Sequence, residues 1–457
     1  MNRSIAFALL AGLGLTACDD APQTSSGYEA PPDAYTSRYA PLPADSVLIR
    51  GATVLTGTGE RLDGADVLMT DGKIAEVGSG LEFEADLVID AEGQWVTPGI
   101  IDVHSHLGVY PSPGTESHSD GNEASAPVTA EVWAEHSVWP HDPGFPKALA
   151  GGVTSLQILP GSANLIGGRG VTLKNVPGRN VMEMKFPGAP HGFKMACGEN
   201  PKRVYGGKGG APSTRMGNVA GYRKAWIEAA EYRDKIEKAK NGQGDAPTRD
   251  LKLETLAGVL NGEILVHNHC YRGDEMSIML EIADEFGYKI AAFHHAVEAY
   301  KIGDLLAEHG ACAAVWADWW GFKMEAYDGI RENAALIDLA GACAIIHSDS
   351  AIGIQRLQET AKVMGAAARV GIDIPPEHAI QWITANPAKS MGILEQTGTL
   401  EAGKMADVVI WDANPFSVYS RAQKVFIDGA LAYDRNDPEV NPVTDFTLGT
   451  ATAGGAR

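Results

Sequence analysis

Val96-Thr97-Pro98-Gly99-Ile100-Ile101-Asp102-Val103-His104-Ser105-His106 runs an apolar strand pattern straight into two histidines two residues apart. In a strand, side chains alternate faces, so His104 and His106 point the same way from its C-terminal end. Two imidazoles converging in this manner suit one metal ion. Taken alone, the pair also fits a strand that simply ends in polar residues. The rest of the chain has to decide.

Four more predicted strands end in comparable residues. Val266-His267-Asn268-His269 is a second His-x-His, Phe293-His294-His295 closes the next strand, and Ile346-His347-Ser348-Asp349 closes a late one. Before them comes Phe193-Lys194-Met195-Ala196-Cys197-Gly198-Glu199. Several imidazoles with carboxylates gathered at strand ends suit a borderline-soft divalent ion, zinc foremost, at one or two per chain.

The spacing of these strands sets the architecture. Stretches 152–158, 192–197, 263–267, 288–293, 311–315 and 342–346 read as buried parallel strands, with amphipathic helices near 219–240 and 276–286 between them. Repeated βα units over 97–397 predict a (β/α)8 TIM-like barrel, whose chemistry sits at the C-terminal strand ends. Short strands with turn dipeptides such as Asp71-Gly72 and Asp428-Gly429 fill 46–96 and 398–435. They predict a small β-sandwich domain built from both ends of the chain. Residues 436–457 read as a disordered tail.

At 457 residues, 44% of them hydrophobic, the chain buries a large core, and its net charge of −21 disfavours nucleic acid as a partner. Arg3 followed by an apolar run from Ile5 to Leu15 reads as a signal peptide over 1–17, too short to span a bilayer. Leu15-Thr16-Ala17-Cys18 resembles a bacterial lipoprotein lipobox, which implies cleavage before Cys18 and acylation of its thiol. Residues 18–45 then form a flexible tether, and the barrel is a periplasmic lipoprotein that meets a membrane only through its lipid. Asp19 and Asp20 resemble an inner-membrane retention signal that does not hold in all bacteria, so inner against outer membrane stays open. Cys197, Cys270, Cys312 and Cys343 lie in or beside apolar strands and are read as small buried residues, with a disulfide in an oxidising periplasm the alternative.

The order of these elements resembles the amidohydrolase superfamily, most of all its imidazolonepropionase- and prolidase-related branch. The resemblance spans about 46–435 and includes Asn386-Pro387-Ala388 and the closing Gly398-Thr399-Leu400-Glu401-Ala402-Gly403-Lys404-Met405-Ala406-Asp407. It implies that His104, His106, His269 and His295 are metal ligands, with His267 an alternative to His269. It implies that Asp349 touches metal and serves as the catalytic base. Lys194 matches a lysine that many members carboxylate to bridge two metals; Glu199 is the alternative fourth-strand ligand.

Two loops are candidates to shape a pocket: 159–169, which offers backbone N–H groups or Arg169 to a substrate anion, and 199–210, a substrate-covering lid that carries Arg203 as a substrate-binding candidate. His267 and His294 are further substrate-binding candidates. Trp316, Trp319 and Trp320 either line the site or belong to the core. No Gly-x-Ser-x-Gly, His-Glu-x-x-His or Walker pattern occurs. The expected activity is metal-dependent hydrolysis of a C–N bond in a small amide, cyclic amide or dipeptide. A lactone or phosphotriester hydrolase on the same site is the nearest rival, and a non-catalytic metal- or solute-binding lipoprotein the one of another class. Oligomeric state is not legible.

Overall fold

A computed structural model describes residues 35–319 and 321–442. The expected signal peptide, Cys18, most of the tether and Trp320 lie outside them. The chain opens with β1 (Val47–Leu55), β2 (Arg61–Thr70), β3 (Lys73–Gly78), β4 (Leu87–Asp90) and β5 (Trp95–Pro98). It continues through β6 (Ile100–Ser105), β7 (Val153–Ile158), β8 (Ile166–Lys174), β9 (Gly192–Ala196) and β10 (Leu265–His269). Then come β11 (Ile290–His294), β12 (Cys312–Val315), β13 (Cys343–Ile346), β14 (Val408–Trp411), β15 (Ala422–Ile427) and β16 (Ala430–Asp434).

Strands from the two ends of the chain share one sheet, in the order β16-β15-β14-β5-β1-β2-β3, with β4 also on β1. The junction is β5 against β14, antiparallel, with Trp95 opposite Trp411. Ile49, Val54, Val67, Val96 and Phe426 pack the core of this unit. Asp434 N donates to Asn441 Oδ1 at 3.2 Å, so the first residues of the expected tail are tied to β16.

The remaining eight strands form a nearly closed barrel, β6 to β13 in chain order. One of them breaks the expected pattern. β8 runs antiparallel to both β7 and β9, where the sequence reading placed the end of a loop. Its three glycines lower strand propensity and hide it. Gly168 is required there: its φ is +105°, and a Cβ would stand 2.2 Å from the Val132 carbonyl oxygen.

No ladder pair joins β6 to β13; the hydrogen bonds of Asp102 and one backbone bond close that seam instead. Asp102, fully buried in β6, accepts from Ser348 Oγ at 2.5 Å and from the Ser348 and His104 amides at 3.2 Å each. Asp349 N donates to His104 O at 3.0 Å. Outside the barrel the helices Arg215–Lys240, Leu251–Leu260 and Gly273–Phe286 bury Trp226, Leu256 and Met279 in the main core. No helix among the described residues is long and apolar enough to cross a membrane.

The cysteines correct the sequence reading. Cys197 is bonded to Cys270 and Cys312 to Cys343. Each pair comes from neighbouring strands: Cys312 and Cys343 are register partners in β12 and β13, and Cys197 and Cys270 follow the ends of β9 and β10. Burial was read correctly for Cys197, Cys270 and Cys312, while Cys343 is partly exposed; pairing depends on which strands become neighbours, which spacings of 73 and 31 residues do not reveal. Thiol titration of the unreduced, denatured protein should therefore miss all four, and reduction should release them. Removing either bond by a double Cys→Ala change should cost on the order of 2–4 kcal/mol in chemical denaturation. Four free thiols in protein prepared without reductant would refute the pairing.

Candidate active site

Strand alternation aims His104 and His106 from β6 toward the barrel axis, and their Nε2 atoms lie 3.3 Å apart. Asp349, just past β13, brings Oδ1 to 3.1 Å from His106 Nε2 and 3.5 Å from His104 Nε2. Lys194, on the inward face of β9, places Nζ 3.2 Å from His104 Nε2. Across this group, His295 Nε2 lies 3.7 Å from Asp349 Oδ2. Asp349 and His295 both hold positive φ, +51° and +55°, a conformation side chains resist and the strand ends here impose.

The donor geometry fits a metal ion. Zinc–nitrogen bonds of about 2.0–2.1 Å imply a tetrahedral edge of about 3.4 Å. Separations of 3.1, 3.3 and 3.5 Å among His104 Nε2, His106 Nε2 and Asp349 Oδ1 match that edge. Potential ligand atoms cluster twice: His104 with His295 and Asp349, and His104 with His294 and His347. Outer contacts orient the rings. His106 Nδ1 lies 2.9 Å from the Leu159 carbonyl, so it carries the proton and leaves Nε2 a lone pair. His269 Nδ1 lies 2.8 Å from Ser162 Oγ, and His295 Nδ1 lies 2.7 Å from His347 Nε2.

Burial sets the charge state. It drives His104, His269, His294 and His295 well below the usual imidazole range, with the nearby Lys194 charge acting the same way. It brings His267 to about 3 and His347 to about 4. Neutral imidazoles are the form that binds metal. Lys194 is lowered to about 7 by burial, partly offset by Asp349. Burial alone would raise Asp349; the His106 hydrogen bond and the charges of His106, His347 and Lys194 bring it below the ordinary carboxylate value.

An open cavity is lined by His106, His269, His295 and Asp349, and Arg203, Glu199, Tyr271 and Lys323 share its wall. Lys323 lies 3.9 Å from the Tyr271 ring centre, 3.3 Å from Asn200 Oδ1 and 3.5 Å from Glu199 Oε1. Glu199 thus faces Lys323; like His106 and His269, it belongs to neither ligand cluster.

The other expected contacts are redistributed. Arg203 lines the cavity; Arg169 does not. Arg169 lies opposite Phe193 in the β8–β9 ladder, on the outward face, where Nε donates to Thr255 Oγ1 at 2.9 Å and the guanidinium covers Trp133. His267 and His294, expected to touch substrate, are fully buried behind His104. Trp316 stacks on His295 with ring centres 4.5 Å apart, and Trp319 is exposed. Lys323 and Tyr271 went unread, whereas Ser162 and Asn200 lie in the two loops expected to shape the pocket, though neither residue was singled out. Lys323 sits in a long connection after β12, where no periodicity marks one residue over another, and only Tyr271, two residues past His269, had a signal.

The chain is similar to several known proteins. The Amidohydrolase family profile matches residues 250–443. The amidohydrolase tasK of Hapsidospora irregularis is 34% identical over 400 residues, 82% of this chain but only 40% of that protein's length. An imidazolonepropionase of Mesorhizobium japonicum is 24% identical, covering 71% of this chain and 79% of its own. The crystal structure of an amidohydrolase from Thermotoga maritima superposes with a TM-score of 0.79 at 36% identity, across 85% of this chain and all of that one.

Proposed function

The chain belongs to the amidohydrolase family, and from that premise we propose that it is a metal-dependent hydrolase of a C–N bond in a small amide, cyclic amide or dipeptide. The observation that carries this reading is the convergence of His104 Nε2, His106 Nε2, Lys194 Nζ and Asp349 Oδ1 beside an open cavity. His104, His106, His269, His295 and Asp349 would hold one or two metal ions, with Lys194 as its carbamate a further anionic ligand. An amine near pKa 7 is partly neutral at physiological pH and adds to carbon dioxide, turning a cation into an anionic ligand. Bound there, zinc or a similar divalent ion would lower the pKa of a water molecule toward about 7 and polarise the scissile carbonyl.

Asp349 does the proton work. Its Oδ2 lies toward His295 and its Oδ1 toward His106, which aims the carboxylate into the space where the attacking water must stand. It accepts the water proton and delivers it to the leaving nitrogen, so the amide ends as an amine and a carboxylic acid. Arg203 and Lys323 offer positive charge along the cavity wall, which favours a substrate with an anionic end.

Elemental analysis should find roughly one to two divalent ions per chain, and His104→Ala should lower that number. Active protein free of transition metal would refute the reading. A panel of dipeptides, hydantoins, lactones and phosphotriesters then separates C–N from ester and P–O chemistry. Asp349→Asn should keep the fold and lower kcat by ~10²–10⁴. Turnover within a factor of about three of wild type, at equal metal content, would move the base elsewhere.

We place the protein in the bacterial envelope, anchored through Cys18. The lipobox supports this, as do two disulfides, which persist in oxidising compartments. Mass spectrometry of the mature N-terminus should show an acylated Cys18; an unmodified start at another residue would leave secretion alone.

A further inference from the structure

Behind His104 the barrel interior holds a row of three side chains, His294, His267 and Gln157, that the proposed hydrolysis leaves without a role. His104 Nδ1 lies 2.9 Å from His294 Nδ1, and His294 Nε2 lies 2.9 Å from His267 Nδ1. His267 Nε2 lies 3.4 Å from the amide nitrogen of Gln157 in β7. All four residues are fully buried. A neutral imidazole donates at one nitrogen and accepts at the other. Three rings joined in series therefore cannot choose tautomers independently; fixing one fixes the rest.

The direction follows from the outer end. A lone pair on His104 Nε2, facing His106, Lys194 and Asp349, puts the His104 proton on Nδ1. His294 then accepts at Nδ1 and donates from Nε2. His267 accepts at Nδ1 and carries its proton on Nε2, where it needs an acceptor. Gln157 Oε1 is a buried acceptor with no partner among the described residues. The two ends of an amide have the same shape, and the hydrogen-bond network decides between them. With its ends exchanged, the amide satisfies the His267 proton and its own stranded oxygen together. Glycine at 192 makes the approach feasible: a Cβ there would meet the Gln157 amide at 2.7 Å and His267 Cδ2 at 3.2 Å.

We infer that Gln157 is a positioning residue. Through His267 and His294, its side-chain carbonyl holds His104 with the proton on Nδ1 and the Nε2 lone pair turned to the metal-binding face. The inference rests on the reading of His104 as a ligand.

Long-range proton–nitrogen correlation on zinc-loaded protein with isotope-labelled histidine reads the tautomers directly. His267 and His294 should both carry the proton on Nε2, and neither should show a metal-shifted nitrogen. Gln157→Met removes the acceptor at similar volume and should weaken zinc binding about tenfold in chelator competition, the lower end of what outer contacts contribute. Gln157→Glu restores an acceptor and should restore most of that affinity. A proton on Nδ1 of His267 or His294, a metal bound to His294, or equal zinc affinity for the Met and Glu variants would each overturn the inference. Should Gln157→Met fail to fold, the wild-type tautomers decide alone. Wild-type protein that takes up zinc with the other tautomers refutes the relay only, whereas protein that takes up no zinc refutes the ligand reading as well.

Discussion

A single buried carboxylate holds the first and last strands of the barrel in register. Asp102 accepts three hydrogen bonds, two of them from Ser348, across a seam that no backbone ladder closes. Burial raises its pKa to about 7 despite those donors, so the contact works against solvation and persists only because every partner is in place. Two residues from Asp102 is His104, and one residue from Ser348 is Asp349. The same seam therefore fixes the distance between a histidine from one end of the barrel and a carboxylate from the other. An opened seam would unfasten the barrel and the site together.

The second constraint is the exclusion of charge. Seven imidazoles, a lysine and Asp349 cluster in and around the mouth of the barrel, and burial disfavours protonation of His104, His267, His269, His294, His295 and His347 alike. Neutral rings need directed hydrogen bonds, since each must donate as well as accept. The Leu159 carbonyl, Ser162 and Gln157 supply them at the edges of the cluster. Polar residues deep in the barrel thus serve the outer ones, which explains why the interior under the site is not the aliphatic core found elsewhere in the molecule.

Strand-end residues were legible because the barrel gathers the ends of its parallel strands at one rim. His104, His106 and Asp349 stand where apolar runs stop, whereas Lys194, inside β9, and His295 rather than His294 were marked by the family resemblance. Arg169 failed for a related reason: the strand that carries it has three glycines within five residues, and without a recognised strand its outward face was invisible. Lys323 could not be read at all, because its place at the cavity depends on contacts with Tyr271 and Glu199 from two other connections. His267 and His294 were recognised as part of the constellation but given the wrong neighbours. Sequence shows the side of the strand on which they lie, whereas their depth below the rim emerges only when the barrel is assembled.

Depth also separates the two disulfides. Cys197 and Cys270 bind the ends of β9 and β10 together, one turn of chain from Lys194 and His269, so this bond braces the rim where ligand atoms must keep their spacing. Cys312 and Cys343 join β12 and β13 at their opposite, N-terminal ends. Asp349 leaves β13 at the rim with a positive φ, a backbone state that survives only where its surroundings over-determine it. A cross-link at the base of that strand pair and a carboxylate seam at its top restrain the strand from both ends. The catalytic geometry on this side of the barrel is therefore held by covalent and polar restraints acting in series, with the imidazole cluster packed between them.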